Sequence, residues 1–184
     1  MLVMAVMLIA LAVGVVPGAW FRASRRPHGY GEELGAYRAQ LSEHHARIQA
    51  VLSGLAEAVD GLRRREMDVD LAAERLVTAE QALDAEAEQM RDMLAPQELH
   101  GLHAEYEANL ERALRGIVTA ERGCGLSRQP HRPPDDEEAV TYWKRGHANL
   151  VNAAMRMSEL AEALLSWAPG KPADASLAAR LHRD

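Results

Sequence analysis

An all-α fold is predicted for this chain: an N-terminal transmembrane helix, then an antiparallel four-helix bundle with coiled-coil-like spacing. Three observations predict it. Residues 1–16 carry no polar side chain. Four later stretches repeat their apolar residues every seven positions. Beyond the first 21 residues the aromatics are only Tyr30, Tyr37, Tyr106, Tyr142, Trp143 and Trp167, so a core must be built from Leu, Ala, Val, Ile and Met. That composition suits helices, whereas sheets draw on aromatic and β-branched side chains.

The apolar run continues through Pro17, Gly18, Ala19, Trp20 and Phe21. As a helix, 21 residues span about 31 Å, the thickness of one hydrocarbon core. Residues 1–21 therefore read as an anchor in the lipid bilayer, with Trp20 at the height of an interfacial aromatic. Arg22, Arg25 and Arg26 follow at once, in a basic juxtamembrane linker over 22–30 broken by Pro27 and Gly29. Positive charge on this flank places the body in the cytoplasm and the N-terminus outside. The rival is a cleaved export signal, which would place the body outside the cytoplasm. It lacks a basic leading segment and a small-x-small cleavage site, Val16-Pro17-Gly18 being the nearest.

The body, 31–167, opens with a predicted helix over 31–66. Leu34, Leu41, Ile48, Leu55 and Leu62 form an unbroken seven-residue repeat, filled in by Tyr37, Val51, Leu52, Ala58 and Val59. Asp68 or Asp70 can cap a second helix over 69–95, with Leu76, Leu83 and Met90 at its core. Pro96 suits the start of a third, running to Arg122 through Leu99, Leu102, Tyr106, Leu110 and Ile117, with Gly123-Cys124-Gly125 as its stop. Residues 123–135 read as a loop containing Pro130, Pro133 and Pro134. Asp135 and Asp136 then cap a fourth helix ending near Trp167, with Trp143, Leu150, Met157 and Leu164 spaced by seven. Residues 168–184 read as a flexible tail. Short connections favour an up-down-up-down bundle; an extended hairpin that closes its core by dimerising would bury the same stripes.

Charge narrows the function. From Tyr30 onward, 18 Lys and Arg stand against 27 Asp and Glu. An acidic body argues against nucleic acid as a partner. One cysteine, Cys124, excludes an internal disulfide and a cysteine-based zinc site, and between two glycines it is expected to be an exposed thiol open to crosslinking or oxidation. His100 and His103, at i and i+3, are the weak candidates for a metal. No histidine has the Glu three residues earlier that a di-iron bundle needs. The helix carboxylates read as a solvated face, and Met90, Met93, Met155 and Met157 as core filling. No phosphate loop or nucleophile motif occurs, and no cofactor is implied. The expectation is a non-enzymatic, membrane-anchored helical bundle acting through protein partners or self-association. The alternatives are an exported sensor or ligand-binding bundle and a metal- or redox-active helical protein.

Overall fold

The computed structural model describes residues 29–131 and 136–170. Four helices carry the fold: α1 Tyr30–Arg64, α2 Val69–Asp92, α3 His100–Ser127 and α4 Glu137–Ser166. A 3-10 turn, Gln97–Leu99, leads into α3 behind Pro96. No strand occurs among the described residues. The expected anchor at 1–21, with Trp20, the arginines 22, 25 and 26, and the tail beyond Gly170 lie outside them. No helix among the described residues is long and apolar enough to cross a membrane.

Local chemistry sets the helix ends. The Asp68 carboxylate accepts from the Asp70 and Leu71 amides at 2.9 and 3.1 Å, satisfying two donors that the first turn leaves free. Asp136 does the same for Glu138 at 3.1 Å. α1 ends on Arg65 in the left-handed region, φ 61°, with the Arg65 amide on the Leu62 carbonyl and the Glu66 amide on that of Gly61. A non-glycine residue there costs about 1 kcal/mol.

The four helices run alternately up and down. Gln49 of α1 reaches the Ala154 carbonyl, while Arg38, eleven residues earlier, reaches that of Trp167, so α1 and α4 are antiparallel. Arg156 binds Glu105 at one end of the α3–α4 pair, and Trp143 meets Gly123 at the other. Arg128 on Asp70 and His103 on the Met90 carbonyl set α2 against α3 in the same sense. One chain thus closes one core, and a partner copy is not needed to complete it. Leu34, Leu41, Ile48, Leu55, Leu62, Leu76, Leu83, Met90, Leu150, Met157 and Leu164 are all buried in it, as their spacing predicted.

The third helix corrects the sequence reading. It continues through Gly123-Cys124-Gly125 to Ser127, so the loop starts at Arg128 rather than at 123. The reason lies in three buried columns of seven-residue spacing: Leu99, Tyr106, Ala113, Ala120; His103, Leu110, Ile117, Cys124; and Leu102, Asn109, Gly116, Gly123. At its glycines the last column faces Ala139, Trp143, Gly146 and Leu150 of α4. Here the glycines serve close approach, not termination. A Cβ at Gly123 would stand 2.6 Å from the Trp143 indole nitrogen, and one at Gly146 would stand 2.9 Å from both the Gly116 carbonyl and the Ala120 Cβ.

Gly146→Ala must therefore push two backbones apart. Its cost should be about 1–3 kcal/mol in urea unfolding. Gly35→Ala, where an added methyl meets nothing within 4 Å, should instead stabilise by about 0.5–1 kcal/mol. Equal effects at the two sites would refute the close-approach account.

Candidate functional site

Polar side chains gather inside one half of the bundle. Tyr37 and His45 project from α1, and His103 and Tyr106 from α3, forming two tyrosine–histidine pairs. The Tyr37 hydroxyl lies 3.1 Å from His103 Nδ1, and the Tyr106 hydroxyl 2.9 Å from His45 Nδ1. Each pair meets edge-on, with ring centroids 5.7 and 5.9 Å apart. His103 Nε2 lies 3.1 Å from the Met90 carbonyl, which can only accept, and 3.3 Å from Glu107. In the neutral ring Nε2 therefore carries the hydrogen, and Nδ1 accepts from Tyr37. Burial pushes both phenols far above their usual range, with Glu107 adding to Tyr37 and Glu86 to Tyr106, so both stay protonated. Burial alone pushes His45 down, disfavouring its charged form.

Beside these pairs lies a charged cluster across α1 and α2. Glu86, only 9% exposed, receives Arg47 Nε at 2.6 Å and His44 Nδ1 at 2.6 Å. Arg47 also holds Glu43 at 2.7 Å. Burial works to raise the Glu86 carboxyl. The hydrogen bonds and charges of Arg47 and His44 together outweigh it, leaving Glu86 below the ordinary carboxylate range. The sequence reading placed every carboxylate on a solvated face. Glu86 corrects it, and the signal was present: Glu86 stands seven residues after buried Ala79 and three after Leu83.

The candidate residues chosen from the sequence do not converge. His100 is exposed and donates Nε2–H to the Ala95 carbonyl at 2.8 Å, while His103 points into the core. Cys124 is 1% exposed, not open to solvent, because it continues the Leu110–Ile117 column. Burial pushes its thiol up, against weaker opposing pulls from the Trp143 indole and Arg128, so it is a poor nucleophile. Among the described residues no group of three or more His, Cys, Asp or Glu is placed to hold a metal ion. Trp20, Arg22, Arg25 and Arg26 lie outside the described residues.

A concave surface lies elsewhere among the described residues. A groove of about 440 Å³ runs between α1 and α2, floored by Val51, Leu55, Ala79 and Ala82 and bordered by Gly54, Leu71 and Thr78, with Glu74 and Arg75 on its rim. It is open because Gly54 supplies no side chain and α2 presents alanines where the other helices present leucines. Two α2 apolar side chains stay half-exposed, Leu71 at 45%, on the groove, and Val77 at 46%. No family model, no curated protein and no solved structure matches this chain.

The polar cluster makes the bundle sensitive to acid. Glu86 has a depressed folded pKa, so its contribution is full above the unfolded carboxylate range and fades as pH falls through the folded value. His45 acts in the same direction, since folding disfavours its charged form. Glu86→Gln should cost about 1–3 kcal/mol near neutral pH. The gap between wild type and variant should shrink below about pH 4, as the wild-type carboxyl also becomes neutral. Urea unfolding across pH checks this; a gap that widens in acid would refute it.

Proposed function

We propose that the chain is a single-pass, membrane-tethered helical module that works by protein–protein contact, self-association included, without chemistry of its own. The observation that carries this reading is the placement of polar and apolar groups. The Tyr–His pairs and the Glu86 cluster spend their hydrogen-bonding capacity on one another inside the bundle. The groove between α1 and α2, with half-exposed Leu71 on it, leaves apolar surface open. Such surface on an otherwise acidic body is the feature that protein contacts use.

The tether is argued from residues 1–21 and from Arg22, Arg25 and Arg26 behind them. Positive-inside puts the bundle on the cytoplasmic side, where its partner would be another protein or a second copy of the chain.

Leu71→Asp with Thr78→Asp places two charges on the rim of the groove without touching the buried columns. The full chain in lipid nanodiscs should keep its helicity and lose self-association by at least about tenfold, a penalty of the size of one interface anchor. Unchanged association of the double variant, read by light scattering and crosslinking, would remove the groove face from the reading.

Sidedness needs a reporter other than the buried Cys124. Glu88→Cys, on the exposed face of α2, should react with a membrane-impermeant maleimide only after cells expressing the chain are lysed. Labelling of intact cells would favour export and the extracytoplasmic sensor.

A further inference from the structure

The two ends of the bundle differ in character. At one end the chain enters α1, turns from α2 into α3, and leaves α4. The Tyr30 hydroxyl donates to Glu98 at 2.9 Å, and Arg38 binds the Trp167 carbonyl, tying these three places together. At the other end the connections are 65–68 and the loop after Ser127. Their exposed residues are polar or proline: Arg65, Glu66, Asp68, Arg128, Gln129, Pro130 and His131.

The near-end connection is Met93-Leu94-Ala95-Pro96. Met93 and Ala95 pack against the core, while Leu94 is 92% exposed, more than any other large apolar side chain described. Tyr30 is half-exposed beside it in the fold. A lone exposed leucine is ordinary on a protein surface, but its position here is not arbitrary. The apolar run of the sequence ends at Phe21, and α1 begins at Tyr30. Even fully extended, the residues between Phe21 and Gly29 span at most about 28 Å. The near end is therefore held within about 28 Å of the end of the run, while the far end, about 52 Å away along α1, carries no such bound.

We propose that this end of the bundle rests on the lipid headgroup layer, with Leu94 inserted at its boundary with the acyl chains. The inference depends on the membrane tether argued above and goes beyond it, giving the body a fixed pose instead of a free swing. Glu32, Glu33, Asp92 and Glu98 outnumber the exposed Arg91 at this end, which disfavours an anionic lipid surface. The surface it fits is accordingly zwitterionic lipid.

The test uses the full chain in phosphatidylcholine vesicles, with Leu94→Cys carrying an environment-sensitive fluorophore and Gln129→Cys, at the far end, as the control. Flotation of the unlabelled chain with the vesicles is read first. Emission from position 94 should be blue-shifted and quenched by iodide about fivefold more weakly than emission from position 129, as for a side chain sunk below the headgroups. In a second measurement, vesicles should slow amide exchange over 93–98 in the wild type and not in Leu94→Glu. Flotation with equal quenching at 94 and 129 would overturn the inference and leave the tether standing. A chain that fails to float would overturn both.

Discussion

The near-contact of the α3 and α4 backbones sets the frame on which the other helices depend. The Gly146 backbone lies so near the Gly116 carbonyl and Ala120 that no side chain fits between, and Gly123 gives Trp143 room in the same way. Helices with side chains at a crossing sit about 8–10 Å apart, and glycine and alanine there let them come nearer. The α3–α4 pair is the most extensively packed in the bundle.

Against that frame α1 and α2 are held differently. α1 brings long aliphatic side chains, Leu41, Ile48, Leu52 and Leu55, together with Tyr37. α2 brings mostly alanine, Ala72, Ala73, Ala79 and Ala87, and fills the remaining depth with Leu76, Leu83 and Met90. Alanine buries little area, so α2 gains less from the hydrophobic effect than its neighbours. Specific polar contacts fix its register against its neighbours. Glu86 binds α1 through Arg47 and His44, and the Met90 carbonyl binds α3 through His103. A buried ion pair of this kind adds little net stability, because desolvation offsets attraction, but it penalises every register that would separate the partners. The same thin packing leaves the groove on the α1–α2 side open.

The surface follows from this interior. With the Tyr–His pairs and the Glu86 cluster paired internally, the features left to meet other molecules include an apolar groove, the half-exposed Leu71 and Val77 of α2, Val118, Val151 and Met155, and one bare leucine near the start of α1. Met155 is exposed, not core filling as its type suggested. These are features of contact, and they lie on different faces. A groove on the flank and a leucine at the end let the molecule meet a partner and a surface at once.

Much of the fold was legible in the residues. The period of seven at Leu34–Leu62 and at Trp143–Leu164 determined helices and their buried faces, because a side chain every two turns returns to the same stripe. A cap at Asp68 or Asp70, caps at Asp135 and Asp136 and a stop near Trp167 are legible from local chemistry; the structure shows Asp68 and Asp136 capping. Cys124 and Glu86 were misread because residue type was weighed above position: both continue a buried column, and neither is apolar in the ordinary sense. The Gly123-Cys124-Gly125 run reads locally as a helix end, since glycine is ambiguous between ending a helix and admitting a neighbour. Sequence by itself determined that this chain makes helices and which stripe of each is apolar. Only the tertiary structure decided which stripes face each other, that Gly116 meets Gly146, that Tyr37 finds His103 sixty-six residues away, and where apolar surface stays uncovered. The physical reason is range: periodicity and capping act within a few residues, while pairing between helices depends on shapes and hydrogen bonds that exist only once distant segments touch.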